Sequence, residues 1–199
     1  SMEHKFYTVQ PIKNKVVLSQ VKKTLLEHFR AGRRNYTIFQ VGKATLLRVS
    51  DVLSLKYSDV YNKNGQVKTR THIYDQKTNK PNTIYLKPVK QDLKNYRLWL
   101  KAQQIESIWL FPSFTDPTKH LTRKQYYKIM AKTGDLLGID YLGTHTMRKT
   151  GAYFVYHQTN FDIGLVMQLL NHSSQQSTLH YLGIDQTTRE NILDKIDFD

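Results

Sequence analysis

The sequence contains no cysteine, which excludes disulfides, thiolate metal sites and a cysteine nucleophile. No apolar run approaches the roughly 18 residues of a membrane-spanning helix, and no apolar signal region follows the N-terminus. Glycine-rich phosphate loops, dinucleotide fingerprints, HExxH and GxSxG are all missing. The chain therefore has no motif for nucleotide binding, zinc catalysis or a serine triad. The absence of cysteine is compatible with a reducing intracellular setting.

Positive charge is abundant. The chain has thirty Lys and Arg residues and sixteen Asp and Glu residues, which gives a net charge of +14. This excess favours a polyanionic partner, because each phosphate contact releases condensed counterions. A basic surface that only keeps the protein in solution is the plain alternative. A membrane-surface role is less favoured, because no segment has the pattern of a long basic amphipathic helix.

Helical periodicity and capping residues predict a mostly helical chain. The predicted helical segments are 19–32, 36–48, 50–55, 89–104, 123–138, 144–158 and 162–171, followed by a last amphipathic stretch with Ile192, Leu193 and Ile196. The predicted caps are Ser19, Ser50, Thr122 with Gln125, Thr144, Asp162, and Thr187 with Glu190.

The segment from Lys56 to Leu86 has a different character. "VKTRTHIYD" and "NTIYL" alternate and are rich in β-branched and aromatic residues, so they predict a β-hairpin around "QKTNKP". An earlier strand is expected around residues 57–61. No linker divides the 199 residues, which predicts one α+β, mostly helical domain over 2–199, with Ser1 as a remnant of tag removal.

Two features carry candidate chemistry. In "THTMRKT", His145 and Arg148 lie three apart near a predicted helix N-terminus, which suits a phosphate clamp. A chance HxxR in a basic chain is the competing interpretation. Among thirteen tyrosines, Tyr181 stands out because it follows a short polar segment, whereas Tyr153 and Tyr156 have the pattern of core residues. A phenol attacks at neutral pH only if cations or a base favour the phenolate.

Five motifs in order resemble the catalytic domain of the tyrosine recombinases, the phage-integrase family, from Ser19 to the C-terminus. "TLLRVSDVLSL" is similar to the box of the first arginine, and "DQKTNKPNTIYL" to the hairpin that carries the catalytic lysine. "WLFPS" matches an apolar landmark, "THTMRKT" resembles the HxxR box, and "LLNHSSQQSTLHYL" resembles the closing box. The implied fold is the DNA breaking-rejoining catalytic domain with a small antiparallel sheet.

The resemblance implies a role for each matching residue. The implied catalytic set is Arg48, Lys77, His145, Arg148, His172 and Tyr181, with Asp51 in support. Tyr181 would attack a DNA phosphodiester to give a 3′-phosphotyrosyl link, and a 5′-hydroxyl of a second duplex would then exchange strands. The arginines and His172 would hold the phosphate, Lys77 would protonate the leaving oxygen, and His145 would act as base for the phenol or steady the site. Asp51 would orient an arginine.

Three positions depart from the family pattern. Leu46 stands where glycine is frequent, Asn171 replaces the glycine of an LGH triplet, and Lys149 replaces a common histidine. None of them removes a reacting group.

The resemblance also implies partners and context. Double-stranded DNA is the expected partner, and no cofactor or metal is expected. A tetramer is expected on synapsed DNA, with a monomer as the open alternative for the protein alone, in a prokaryotic, nucleoid-associated cytoplasmic setting. The residues before the first predicted helix are too few for the family's N-terminal core-binding domain. The tail after Tyr181 would pack on a neighbouring protomer or on its own core. Two alternatives stay open: a type IB topoisomerase-like activity and a catalytically silent DNA-binding module.

Overall fold

The computed structural model describes residues 9–170, 174–184, 190–191 and 193–199, and these ranges contain mostly helices and one two-stranded antiparallel sheet. The helices are α1 (Lys15–Glu27), α2 (Gly32–Thr45), α3 (Val49–Leu53), α4 (Tyr57–Val60), α5 (Lys90–Ala102), α6 (Arg123–Leu137), α7 (Thr146–Gln158), α8 (Ile163–Leu170) and α9 (Gln175–Tyr181). The strands are β1 (Arg70–Tyr74) and β2 (Pro81–Tyr85), and a 3-10 turn covers Lys87–Val89. The predicted fold class is confirmed. Within the described ranges, no helix has the length and apolar character needed to cross a membrane.

Two of the predicted caps are confirmed. At the start of α6, the Thr122 hydroxyl accepts from the Gln125 N–H at 3.1 Å, and the Gln125 side chain accepts from the Thr122 N–H at 2.9 Å. This reciprocal pair satisfies two of the N–H groups that a helix start leaves free. At α8, the Asp162 carboxylate accepts from the Leu165 N–H at 3.0 Å.

The prediction that Ser19 caps the first helix is wrong. The helix begins four residues earlier because the Asn14 side chain accepts from the N–H groups of Val16 at 2.7 Å and Val17 at 3.2 Å. Ser19 therefore lies inside α1. An asparagine at this position competes well with serine as a helix cap.

Ser50 and Thr144 are also not caps. The cap position of α3 is Arg48, and that of α7 is His145. The hydroxyl near the start of α7 that does bond the backbone belongs to Thr146, which accepts from the Gly143 N–H at 2.8 Å. These shifts of one or two residues place two predicted functional side chains at helix starts. The predicted cap at Thr187 lies outside the described residues.

The strand expected at residues 57–61 is wrong, because this segment forms the short helix α4. Tyr57, Val60 and Tyr61 are spaced at i, i+3 and i+4, and the last two are buried in the core. The Asp59 carboxylate accepts from the Lys56 N–H at 2.8 Å and starts the turn. Aromatic content favoured a strand, but helical spacing and this cap prevailed.

The predicted hairpin is confirmed. Its strands pair from Arg70 opposite Tyr85 to Tyr74 opposite Pro81. Thr71 and Ile84 are buried, whereas the alternate side chains of β1 and β2 face outward. One face of the hairpin therefore packs on the body of the protein, and its turn is bonded to α3, where the Asp51 carboxylate accepts from the Gln76 N–H.

The buried side chains form two clusters. The larger one is built from α1 to α6, the hairpin and Met147, and the smaller one joins Leu46 to residues of α7, α8 and the segment 182–184. Helices α2 and α7 meet closely between the clusters. A Cβ at Gly151 would lie 2.0 Å from the Lys43 carbonyl oxygen, so only glycine allows this approach. Arg148, one of the predicted functional residues, lies on α7 next to this junction.

Candidate active site

Arg148, on α7, is buried between the two clusters with 6% of its surface exposed. Its Nε donates to the Leu46 carbonyl at 2.6 Å, and its Nη2 donates to the Leu170 carbonyl at 2.8 Å. Burial lowers the pKa of this guanidinium, but arginine titrates so high that it stays a cation near neutral pH. Two carbonyls from distant segments thus fix the orientation of a buried positive charge.

Leu46 explains how one of these carbonyls reaches Arg148. It ends α2 in a left-handed conformation with φ of 56°, which is unusual for a residue with a side chain. The Leu46 side chain is buried in the smaller cluster with Ala152 and Leu170. Burial offsets the backbone strain, which is about 1–2 kcal/mol for such a residue.

Arg48 follows two residues later and forms an ion pair with the hairpin. Its Nη1 contacts the Asp75 carboxylate at 2.6 Å, with 20% and 12% of the two side chains exposed. The other oxygen of Asp75 accepts from the N–H groups of Lys77 at 2.8 Å and Thr78 at 2.9 Å. Burial opposes ionisation of Asp75, but the two backbone donors and Arg48 outweigh it and lower its pKa.

Asp51 was expected to orient an arginine. Its carboxylate is buried and accepts from the Gln76 N–H at 3.0 Å, so its hydrogen bond goes to the hairpin turn. Burial and the nearby Asp75 raise its pKa, although the Gln76 N–H, Arg48 and Arg148 act in the opposite direction. Electrostatic contact with both arginines is therefore present, while Asp75 is the carboxylate that pairs directly with Arg48.

His145 is half-buried at the start of α7. Its Nε2 lies 3.3 Å from the Arg123 guanidinium, and its buried Nδ1 has no hydrogen-bond partner in the described part of the chain. Burial, followed by the charges of Arg123, Lys149, Arg148 and Arg48, lowers the pKa of His145 to about 4. The imidazole is therefore neutral at pH 7, and in the protein alone it is a weak base.

Tyr181 ends α9 and faces α7. The Arg148 guanidinium lies 5.6 Å from the centre of its ring, and the ammonium of Lys149 lies 5.1 Å from it. Burial raises the pKa of Tyr181 to about 12, although Arg148, through charge and a hydrogen bond, and Arg48 act to lower it. The phenol therefore needs a base before it can attack at neutral pH.

Two adjoining cavities connect these groups. One, of about 170 Å³, is lined by Arg48, Asp51, Asp75 and Arg148. The other, of about 470 Å³, is lined by Arg48, Asp51, Lys77, Arg123 and His145. Arg48, Lys77, His145 and Arg148 each line one or both of these cavities, and Tyr181 joins them through its contact with Arg148. His172 lies outside the described residues. Among the residues described, no group of three or more His, Asp or Glu side chains is arranged to hold a metal ion.

The comparisons with known proteins agree with this geometry. The model of the phage integrase family matches residues 15–187. A probable integrase/recombinase, YoeC of Bacillus subtilis strain 168, is 36% identical over 183 residues, which cover 92% of this chain and 93% of that protein.

The chain belongs to the phage integrase family. The predicted resemblance is confirmed, and with it the assignment to the tyrosine recombinases, which break and rejoin DNA.

Solved recombinases share the fold. A post-cleavage complex of the XerH site-specific recombinase with its difH substrate has a TM-score of 0.68 and 19% identity, covering 93% of this chain and 52% of that one. A lambda integrase dimer bound to a core site has a TM-score of 0.64 and 15% identity, covering 96% and 64%. This chain therefore spans about half to two thirds of those two chains.

The structure shows what two of the residues that differ from the family pattern do. Leu46 adopts the backbone conformation that glycine favours, and Lys149 contacts the ring of Tyr181. Sequence reasoning assigned neither a function. It also missed Asp75 and Arg123, although the Asp-x-Lys-Thr order of the hairpin turn is a signal for an aspartate that bonds the backbone two and three residues on.

Proposed function

We propose that this integrase-family chain carries the catalytic site of a site-specific DNA recombinase, with Tyr181 as nucleophile. The observation that supports this most strongly is the position of Tyr181 beside Arg148, at a site that Arg48 also faces. Two guanidinium groups next to a phenol match the needs of an attack on a phosphodiester. The phosphate is anionic, and the attacking oxygen carries charge as it reacts.

Arg48 and Arg148 would hold the two non-bridging oxygens of the scissile phosphate. A planar guanidinium grips a phosphate in fixed geometry and stays charged when buried. Arg148 already uses Nε and one Nη2 hydrogen on carbonyls and also hydrogen-bonds Tyr181, so the phosphate would bind to the N–H groups that these contacts leave over. Arg48 would keep its ion pair with Asp75 or exchange it for the phosphate. His172 stays a predicted third phosphate contact.

In the cleavage step the Tyr181 oxygen bonds to phosphorus and the bond from phosphorus to the 5′-oxygen breaks. The phenol proton would pass to His145, which is neutral because its pKa is low. The bound phosphate would raise that pKa and so assist the transfer. Lys77, exposed at the hairpin turn beside the same cavity, would protonate the departing 5′-oxygen.

The phosphotyrosyl link conserves the energy of the broken bond, so the cycle as proposed needs neither metal nor nucleotide. Attack by the 5′-hydroxyl of a second duplex would complete strand exchange. Duplex DNA is the proposed partner, with a tetramer on synapsed DNA and a cytoplasmic, nucleoid-associated location as parts of the same proposal. The net charge of +14 supports the choice of DNA.

The direct test is incubation with a nicked suicide duplex, which traps the covalent intermediate. The expected result is an SDS-resistant protein–DNA adduct that Tyr181→Phe does not form. Tyr36→Phe is the matched control, because the Tyr36 hydroxyl bonds Asp92 at 3.4 Å near the start of α2, at the end of that helix away from Leu46. An adduct formed equally by Tyr181→Phe would overturn the assignment of the nucleophile.

The same assay separates the two alternatives. A silent DNA-binding module would bind duplexes with strong salt dependence and form no adduct. A topoisomerase-like enzyme would form the adduct and relax supercoiled DNA, but would not join strands of two duplexes. The proposal expects strand exchange between two matched duplexes.

A further inference from the structure

The segment at residues 9–13, before α1, has contacts that the proposed reaction does not use. It connects two parts of the site that are far away in sequence: the start of α7 and the turn that follows α9. We name it the N-terminal brace. Its contacts come from backbone groups at its beginning and middle and from a side chain at its end.

On one side the brace is bonded to α7. The N–H of Ile12 donates to the Thr150 hydroxyl at 3.0 Å, and both residues are fully buried. The ammonium of Lys149 donates to the Val9 carbonyl at 2.8 Å. These bonds join residues separated by 138 and 140 positions. Thr150 and Lys149 directly follow Arg148, so the brace is fixed to the helix that presents this arginine.

On the other side the brace is bonded to the turn behind Tyr181. The ammonium of Lys13 donates to the Gly183 carbonyl at 3.0 Å. Gly183 is in the left-handed region with φ of 68°, and a Cβ there would lie 2.6 Å from the Gln10 side chain. The turn thus needs glycine for two reasons, its backbone conformation and the close approach of the brace.

Lys149 links the two sides. Its ammonium bonds the Val9 carbonyl and lies 5.1 Å from the centre of the Tyr181 ring. A cation over an aromatic face is attracted to it, and the attraction grows when the pair is shielded from water. Lys149 is half-buried, and burial lowers its pKa. The hydrogen bond to the Val9 carbonyl therefore holds the Lys149 ammonium in its position over the ring of Tyr181.

We infer that Lys149 is a positioning residue for Tyr181, and that the N-terminal brace, through Lys149 and Lys13, sets the place of the nucleophile relative to Arg148. The inference rests on the proposed function, because it takes Tyr181 as the attacking group. It gives a role to a lysine at the position where the family commonly has histidine. It also means that a substitution in the N-terminal brace changes the position of the nucleophile.

The variant that tests this is Lys149→Met, which keeps the aliphatic stem and removes the charge. Single-turnover cleavage of the suicide duplex at saturating DNA should slow by about five- to tenfold, because one cation–π contact and one hydrogen bond are lost. Lys149→Arg should cleave within about twofold of the unaltered protein, because it keeps the cation and a donor. Lys13→Met, at an exposed position, should slow cleavage in the same direction by a smaller factor.

The matched control is Lys132→Met, which also removes one positive charge and one lysine–aromatic contact, with Phe29 at 5.3 Å. It should leave the cleavage rate unchanged. Any loss of duplex affinity that comes from net charge alone should be equal in Lys132→Met and Lys149→Met. The expected signature is thus a change in rate at saturation without an additional change in Kd.

A second measurement does not depend on activity. With 3-fluorotyrosine at position 181, the fluorine resonance of the DNA-free protein should shift in Lys149→Met and Lys13→Met and stay in place in Lys132→Met. If Lys149→Met cleaves like Lys132→Met and the resonance does not move, the inference is wrong while the proposed function stands. If the unaltered protein forms no adduct, the proposed function fails, and the fluorine shifts still decide whether the brace positions Tyr181.

Discussion

Arg148 and Lys77 belong to the same proposed site, yet the protein holds them in opposite ways. Arg148 is buried at the junction of two apolar clusters, and two carbonyls receive its hydrogen bonds. The Lys77 side chain is exposed at a hairpin turn, and the hydrogen bond of that residue to Asp75 is made by its backbone. The difference matches the two proposed tasks, because a phosphate clamp gains from rigidity and a proton donor must reach a leaving group that moves.

The largest expected effect is at the buried end of this comparison. Arg148→Lys keeps the charge but loses the planar fork, so it cannot bond both carbonyls and the phosphate together. Single-turnover cleavage should fall by about 10³-fold. Arg97→Lys is the control, since Arg97 donates to the Tyr57 hydroxyl beside a different cavity. Equal loss in both variants would contradict a special role for the buried arginine.

At the exposed end, Lys77→Ala should slow cleavage by about 10²-fold, because the 5′-oxygen would leave without a proton. A duplex with a 5′-bridging phosphorothiolate should restore the rate, since a thiolate leaves without one. No such rescue is expected for Arg148→Lys, whose role does not involve the leaving group. If the phosphorothiolate substrate restored the rate of both variants or of neither, the assignment of separate tasks to Lys77 and Arg148 would be contradicted.

The close approach of α2 and α7 is open to a test of stability. In Gly151→Ala the new Cβ meets the Lys43 carbonyl oxygen at 2.0 Å, so α7 must move. The free energy of unfolding in urea should fall by about 1–3 kcal/mol. Gly164→Ala, where the Cβ finds an ordinary 3.5 Å contact, should change it by less than about 1 kcal/mol. If Gly151→Ala left the free energy of unfolding unchanged, α2 and α7 would be able to move apart at little cost, and the close approach would not need glycine.

The smallest expected effect concerns the ion pair that joins the two regions. Asp75→Asn keeps an acceptor for the backbone of the hairpin turn but loses the charge opposite Arg48, which should cost about 1 kcal/mol of unfolding free energy at pH 7. Because the folded protein lowers the pKa of Asp75, the contribution is present above the unfolded value of about 3.9 and is lost as pH falls through the folded pKa.

Urea titrations of the unaltered protein and Asp75→Asn at several pH values measure this difference. It should shrink as the pH falls below about 4. Asp135→Asn, at an exposed position on α6, is the control and should differ by less than about 0.5 kcal/mol throughout. A gap between Asp75→Asn and the unaltered protein that stays constant with pH would contradict the ion-pair interpretation.

Local sequence patterns predicted most of the fold, because their physics is local. The Thr122–Gln125 pair and Asp162 form hydrogen bonds within one helical turn. In the hairpin, the alternation of apolar and polar residues indicates which side chains are buried. The strand expected at 57–61 failed because aromatic content does not distinguish strand from helix in five residues. The prediction of a cap at Ser19 was wrong because Asn14, another good capping residue, lies five positions earlier and starts the helix there.

The sequence by itself determined the kinds of reacting group and their order along the chain, and that was enough to predict a family. It could not bring them together: Arg148 reaches Leu46 across 102 positions, and Lys149 reaches Val9 across 140. Nor could it show that Leu46 would take a left-handed backbone, since the burial that offsets the strain comes from α7 and α8. Tertiary structure decided these points, because contacts between distant segments form only when the whole core does.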